Sequence, residues 1–243
     1  MQYLAAALVI ASCGSPRPSG AKLTVAAAAN LTDVFAAVGT AFTAKTGIDV
    51  VFSYGSTAQL AHQLENGAPF DLFAAADTEH IDSLIAAGKL TADSRAVYAL
   101  GQLALWSPAG GISELKDLKG PQIRFIALAQ PDSAPYGKAS VEALKHFALW
   151  DSLQPKIVYA NSISQARQLA ASGNADATFT AYSLLLHEKG TILKVDPASY
   201  RPLEQALGVT ASSVRQEETR RFRAFLLSQE GRAILWKSGY LLP

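Results

Sequence analysis

The sequence has little charge, little sulfur and no long apolar run, and each shortage excludes a class of protein. Among 243 residues, 21 basic and 20 acidic side chains leave a net charge of +1. This balance argues against a nucleic-acid-binding protein, which would carry a strongly basic surface. The single cysteine excludes both a disulfide framework and a cysteine-based zinc site. No apolar run after residue 13 is long enough to span a bilayer as a helix.

What the sequence does have is apolar material for a substantial core. Apolar residues make up 49% of the chain and charged residues only 17%, which is too apolar for a disordered protein. At roughly 150 residues per domain, the length suggests one large domain or two modest ones.

The first 20 residues are typical of an export segment followed by a tether. Residues 4–11 form an uncharged run of the length of a signal-peptide core. Cys13 follows small residues at the end of this run, an arrangement that resembles the bacterial lipobox, in which the cysteine is lipidated. The Pro-, Gly- and Ser-rich residues 14–20 have the composition of a flexible tether. We therefore predict a signal or lipoprotein-type segment, with Cys13 as the candidate lipidation site and ordinary cleavage as the alternative.

The rest of the chain alternates short apolar runs with helical patterns. Strands are predicted at residues 23–29, 49–53 and 71–76, with helices between them. A second unit of the same order has strands at residues 123–128, 157–160 and 176–181, and residues 217–236 form a closing helix. Each strand–helix–strand series predicts a parallel sheet with helices on both faces, and two such units predict a ligand cleft between them.

Four turns from strand to helix carry small, neutral, hydrogen-bonding residues. They contain Asn30, the pair Ser56 and Thr57, residues 130–137, and residues 161–164. For any one turn, helix capping is the more common role of such residues. Each helix start, however, offers unpaired backbone N–H groups and a partial positive charge. Four of them converging on one cleft would form an anion site that is built from dipoles.

Several motifs resemble those of a known family. They are LTVAAAANLTD at residues 23–33, YGST at 54–57, GAPFDLFAAAD at 67–77, PYG at 135–137, and the segments 161–166 and 228–231. Over nearly the whole chain after residue 21, the sequence is similar to the periplasmic molybdate-binding proteins of bacterial ABC transporters. These are type II solute-binding proteins.

The resemblance implies an α/β fold with two lobes, parallel-rich sheets flanked by helices, and a ligand cleft between the lobes. Lobe 1 is expected to comprise residues 21–100 and 208–243, and lobe 2 residues 101–207. The implied function is capture of molybdate or tungstate in the periplasm and delivery to a transporter permease, either as a free protein or as a lipid-anchored one. A monomer is expected.

The resemblance also implies a set of ligand-binding residues. Asn30 would be the first-turn ligand and Thr57, beside Ser56, would supply a hydroxyl. Tyr136 and Ile163 would contribute backbone N–H groups. Tyr182 lies next to the position where some members place a tyrosine hydroxyl. No cofactor and no direct protein ligand to the metal are implied, because molybdenum is bound as its oxyanion.

The residues leave some alternatives open. Lys138 could reach the anion, although a solvated side chain is the more common outcome at a helix start. Another tetrahedral oxyanion such as sulfate is the main alternative ligand, because the donor set is chemically similar. A hydrolase is less expected: the chain has four histidines and neither a G-x-S-x-G nor an H-E-x-x-H motif. An amino-acid binder would need an arginine at a cleft turn, and none of the four turns has one.

Overall fold

A computed structural model describes residues 22–243 of the chain. The predictions for the export segment, including lipidation of Cys13, lie outside the described residues.

Ten strands and eight α-helices form within residues 22–243. The strands are β1 Lys22–Ala28, β2 Asp49–Gly55, β3 Leu72–Ala74, β4 Ala96–Gly101, β5 Leu103–Ser107, β6 Ile126–Ala129, β7 Ile157–Ala160, β8 Ala177–Ala181, β9 Thr191–Lys194 and β10 Leu203–Val209. The helices are α1 Thr32–Thr46, α2 Thr57–Glu65, α3 Glu79–Ala86, α4 Pro135–His146, α5 Trp150–Leu153, α6 Ile163–Ala171, α7 Gln216–Leu227 and α8 Gln229–Lys237. Short 3-10 turns at Ala29–Leu31 and Tyr182–Leu184 precede α1 and follow β8.

The strands form two five-stranded sheets with the same internal plan. The first has the order β2-β1-β3-β10-β4 and the second β7-β6-β8-β5-β9. In each sheet the first three strands are parallel, and the fourth strand runs antiparallel to both of its neighbours. The prediction of an α/β fold with parallel-rich sheets is confirmed, and the antiparallel strands make both sheets mixed.

The antiparallel strands carry the chain from one sheet to the other. β4 ends at Gly101 in the first sheet and β5 begins at Leu103 in the second. The chain returns between Lys194 and Leu203, because β10 belongs to the first sheet. The predicted lobe boundary at residue 207 therefore falls inside a strand of the first sheet, and the return lies several residues earlier. The residue bounds of the two lobes stay a prediction.

The prediction of one continuous closing helix is wrong. The structure breaks residues 217–236 into α7 and α8 at Ser228, whose backbone is extended. The Ser228 side chain accepts a hydrogen bond from the Gly231 N–H at 3.3 Å and so caps α8. A Cβ atom at Gly231 would overlap the carbonyl oxygens of Phe225 and Leu226, so glycine is required where the two helices meet.

Apolar side chains fill the space between the sheets and their helices. In the first half, Phe35 and Phe42 of α1 pack against Phe222 of α7, and the Phe42 and Phe222 rings meet edge to face at 5.2 Å. No helix within residues 22–243 has the length and hydropathy of a membrane span. Because the faces of the sheets are covered, the strand-to-helix turns at one edge of each sheet are the place for a ligand.

Candidate functional site

The four turns named from the sequence meet between the two sheets. The turn at Ala29–Leu31 and the start of α2 follow β1 and β2 of the first sheet. The starts of α4 and α6 follow β6 and β7 of the second. Because the carboxyl ends of parallel strands lie at one edge of a sheet, each sheet presents two helix starts to the other.

A small pocket lies where these helix starts meet. It comprises about 210 Å³ of space between atoms, part of it open to solvent, and contains no charged residue. Five of the six residues predicted from the sequence line it, namely Asn30, Ser56, Thr57, Tyr136 and Ile163. The other lining residues are alanines, a glycine and a proline. All five predicted residues are buried, so a ligand held here is screened from water.

Two hydrogen bonds join the turns across the pocket. The Ser164 hydroxyl of α6 donates to the Ala29 carbonyl at 2.9 Å. The Ala58 N–H of α2 donates to the Ser133 carbonyl at 3.1 Å. Each bond connects a turn of one sheet to a turn of the other, so the structure has the two halves closed on each other.

Ser56 and Thr57 supply the hydroxyl groups of the pocket. Ser56 occupies the N-cap position of α2, yet its side chain makes no capping hydrogen bond. Its Oγ is buried and has no partner in the protein. The Thr57 Oγ1 accepts from the Ala76 N–H at 3.2 Å, which leaves the hydroxyl hydrogen of Thr57 free to donate. A buried hydroxyl without a partner is costly, and a ligand that accepts hydrogen bonds would satisfy it.

Tyr136 and Ile163 bring backbone groups to the pocket. Both lie in the first turn of a helix, where N–H groups have no partner within the helix. A Cβ atom at Gly137 would overlap the Ala129 carbonyl, so a glycine is needed for α4 to start this close to β6. The Ser162 side chain accepts from the Gln165 N–H, which makes Ser162 an ordinary cap and leaves the Ile163 N–H to the pocket.

Asn30 lies in the pocket, but its amide group has partners within the protein. Its Nδ2 donates to the Gln205 Oε1 and to the Tyr240 hydroxyl, both at 2.9 Å. Both amide hydrogens are therefore used, and the backbone at the start of this turn is what remains for a ligand. A direct side-chain contact from Asn30 to the anion stays a prediction.

Gln205 and Tyr240 were missed by the sequence analysis. They contact Asn30 from 175 and 210 residues away, and no local pattern reports such a separation. The one available signal was Gln205 itself, a polar residue within the otherwise mostly apolar strand β10, which proves to be fully buried.

Tyr182 is not brought to the pocket. Its ring lies under the Lys194 Nζ, which is 3.9 Å from the ring centre, and it packs beside Gly239. The structure thus corrects the placement of Tyr182, because the turn after β8 directs the ring away from the helix starts. Lys138 also lies outside the pocket, where its Nζ contacts the Glu79 carboxylate at 3.4 Å.

The charged groups near the pocket occupy a separate, wider cleft beside it. That cleft contains Glu79, His80, Lys138 and Arg201 among others, and shares only small residues and a proline with the pocket. Its basic side chains form ion pairs with acidic ones.

The pocket lining itself stays uncharged at neutral pH. Tyr136 is its one titratable residue, and burial raises the pKa of the Tyr136 hydroxyl well above its ordinary value. Residues 22–243 contain no cluster of side chains suited to a bound metal ion.

Two α/β halves that close over a neutral pocket define a solute-binding protein. The family model described as bacterial extracellular solute-binding protein matches residues 23–241, and the chain belongs to this family.

Within the family, the chain is a homologue of the molybdate-binding protein ModA. It is 35% identical to ModA of Rhodobacter capsulatus over 232 residues, which is 94% of this chain and 92% of that protein. The periplasmic molybdate-binding protein of Azotobacter vinelandii superposes with a TM-score of 0.88 at 33% identity, covering 91% of this chain and 99% of that one. The substrate-binding domain of a putative molybdenum ABC transporter from Clostridium difficile superposes with a TM-score of 0.71 at 28% identity, covering 92% and 100%.

Proposed function

We propose that this protein captures molybdate or tungstate outside the cytoplasm and delivers the oxyanion to the permease of an ABC transporter. The observation that carries the proposal is the closed, uncharged pocket at four helix starts, with an unpaired Ser56 hydroxyl inside it. The names of its relatives support the choice of ligand and of partner.

Neutral donors suffice to hold a dianion in such a pocket. Each helix start carries a partial positive charge, and its free N–H groups point toward the ligand. The Ser56 and Thr57 hydroxyls and the N–H groups of Tyr136 and Ile163 approach from different sides. Hydrogen bonds to a charged acceptor are about twice as strong as neutral ones, so several together replace a cationic side chain.

This arrangement also explains selectivity. A lysine or arginine would attract every oxyanion, whereas fixed donors discriminate by distance. Sulfate is smaller than molybdate and tungstate, so a cavity sized for the metal oxyanions leaves the hydrogen bonds of sulfate long. Hydrogen phosphate carries a proton that finds no good acceptor among N–H groups, and an unpaired buried donor costs about 1–3 kcal/mol.

Binding between two halves gives a simple delivery mechanism. The anion stabilises the closed arrangement because both sheets contribute donors to it, which is a population shift of the hinge type. The permease then recognises the closed surface. The cycle consists of capture and release, and the protein performs no chemical turnover.

Calorimetric titration with molybdate, tungstate, sulfate and phosphate tests this function. We expect tight binding of the first two ligands and weak or undetectable binding of the others. Sulfate binding as tight as molybdate binding would favour the general oxyanion alternative, and no binding of any of the four would overturn the proposal. Hydrolysis of phosphatase or esterase substrates would contradict the assignment as a binding protein.

We further propose that the protein is a monomer and that Cys13 carries a lipid anchor. The support for the anchor is the position of the single cysteine two residues after the apolar run, behind the small residues Ala11 and Ser12. Detergent phase partitioning of the protein expressed in its host tests the anchor. Wild type should enter the detergent phase and Cys13→Ser the aqueous phase, whereas equal partitioning would exclude the anchor.

A further inference from the structure

Tyr240 is a buried polar residue that does not line the pocket. It follows α8 near the carboxyl end of the chain and is 1% exposed. The next residue, Leu241, exchanges two backbone hydrogen bonds with Leu100 of β4, at 2.7 and 3.0 Å. The segment is thereby fixed to the first sheet, and the Tyr240 ring points inward.

The Tyr240 hydroxyl is fully used by groups at the first turn. It donates to the Asn30 carbonyl at 2.8 Å and accepts from the Asn30 Nδ2 at 2.9 Å. It also accepts from the Ser183 Oγ at 3.1 Å. One donor and two acceptor positions are all that a hydroxyl offers. Tyr240 therefore holds Asn30 at both its backbone and its side chain.

Gln205 extends this network toward the second turn. Its Oε1 accepts from the Asn30 amide at 2.9 Å, and its Nε2 donates to the Ala76 carbonyl at 3.4 Å. The Ala76 N–H in turn donates to the Thr57 Oγ1 at 3.2 Å. A continuous chain of buried groups thus runs from Tyr240 through Asn30 and Gln205 to the hydroxyl of Thr57.

A pocket that selects by distance depends on how firmly its donors are held. Binding groups need to be fixed within about 0.5 Å by residues that do not touch the ligand. A satisfied buried network does this, since moving one member leaves others unpaired at a cost of about 1–3 kcal/mol. Neither Tyr240 nor Gln205 lines the pocket, so any effect they have on the ligand passes through the turns.

We propose that Tyr240 and Gln205 are positioning residues that set oxyanion affinity through Asn30. The inference rests on the proposed function of the pocket. It makes the carboxyl-terminal segment a part of the binding site, although that segment contacts no ligand.

A double-mutant cycle tests this inference. Affinity for molybdate is measured for wild type, Tyr240→Phe, Asn30→Ala and the double variant. Tyr240→Phe removes one oxygen atom and should weaken binding about five- to tenfold. If Tyr240 acts in part through the Asn30 side chain, the same change should have a clearly smaller effect in the Asn30→Ala background, where only the hydrogen bond to the carbonyl of residue 30 remains.

The control is Ser94→Ala. Ser94 is equally buried, and its hydroxyl donates to the Thr91 carbonyl at 2.6 Å and accepts from the Val209 N–H at 2.7 Å without touching Asn30 or the groups that hold Thr57. We expect its affinity for molybdate to match that of wild type. Urea unfolding of each ligand-free variant reports the structural cost separately. If Tyr240→Phe does not fold, Gln205→Met takes its place in the cycle with the same expectations.

The outcomes separate the inference from the function on which it rests. Wild-type affinity in both Tyr240→Phe and Gln205→Met overturns the inference, as does a loss that is equally large with and without the Asn30 side chain. Failure of the wild-type protein to bind any oxyanion overturns the proposed function instead.

Discussion

At the scale of single residues, the pocket contains a polar group that lowers the stability of the ligand-free protein and is available to a ligand. Ser56 occupies a capping position without capping, and its buried hydroxyl has no partner in the protein. The hydroxyl of its neighbour Thr57 accepts one hydrogen bond, from the Ala76 N–H, and its own hydrogen remains free to donate. Replacing either hydroxyl should therefore weaken ligand binding, but only the replacement of Thr57 should lower the stability of the ligand-free protein.

Ser56→Ala should weaken molybdate binding while leaving the ligand-free protein at least as stable. The substitution removes a buried hydroxyl that has no hydrogen bond to lose. Calorimetry gives the affinity and urea unfolding the free energy of unfolding. A clear loss of stability in the ligand-free variant would show that Ser56 has a structural partner and would contradict this account.

Thr57→Val should lower both quantities, with a loss of binding free energy of about 1.5–3 kcal/mol for the donor to a charged ligand. Thr219→Val is the matched control, because Thr219 is also fully buried and its hydroxyl donates to the Arg215 carbonyl far from the pocket. The control should lose stability and keep its affinity. Equal affinities of Thr57→Val and wild type would remove Thr57 from the site.

At the scale of elements, the site depends on how closely helices begin after strands. α4 approaches β6 at Gly137, where a side chain would overlap the Ala129 carbonyl. Tyr136, whose N–H lies in the first turn of α4, is the neighbour of Gly137 in this helix start. Helix position, rather than any one side chain, is thus part of the binding geometry.

Gly137→Ala should shift the start of α4 and weaken molybdate binding, together with a loss of stability. Gly47→Ala is the comparison, since Gly47 ends α1 at a φ of 71° with open space around it. That variant should lose about 1 kcal/mol of stability from its left-handed backbone and no affinity. Were the two variants to bind equally well, the close approach at Gly137 would have no role in the site.

Much of the element order was predictable from the sequence, because apolar periodicity reports local structure. Both strand–helix series were found, and so were the turns that carry Ser56 and Thr57. The break at Ser228 was not, since a cap in the middle of an amphipathic pattern changes the periodicity little. β10 was also missed: its pairing with β3 and β4 joins segments more than 100 residues apart in the chain, and local patterns do not contain such contacts.

At the scale of the whole molecule, the ligand pocket and the charged side chains near it occupy separate places. The pocket contains no charged residue, whereas the adjoining cleft holds acidic and basic groups in ion pairs. His80 belongs to that cleft, and its hydrogen bond to the Asp77 carboxylate raises the pKa of His80 despite its partial burial. Stability and affinity should therefore respond differently to pH.

Affinity for molybdate should stay constant between about pH 7 and 9, because no group in the pocket titrates in this range. Stability should behave otherwise. A raised pKa in the folded state means that protonated His80 stabilises the protein below its unfolded pKa, and this contribution is lost as the pH rises through the folded pKa. Urea unfolding from about pH 5.5 upward measures the stability trend, which begins near the ordinary histidine pKa, and calorimetry between about pH 7 and 9 measures the affinity.

The control for this prediction is His80→Gln, which should remove the pH dependence of stability that His80 contributes and leave affinity unchanged. A marked fall in wild-type affinity between about pH 7 and 9 would mean that a titrating group contacts the ligand, contrary to the neutral pocket described above.

The central claim is that uncharged groups from four helix starts hold the oxyanion. The most direct measurement is a crystal structure of the complex with molybdate, with the metal located by its anomalous scattering. We predict that the metal lies between Ser56, Thr57, Tyr136 and Ile163, with its oxygens bonded only to hydroxyl and N–H groups. A metal found in the neighbouring cleft, bonded to Lys138 or Arg201, would contradict the account.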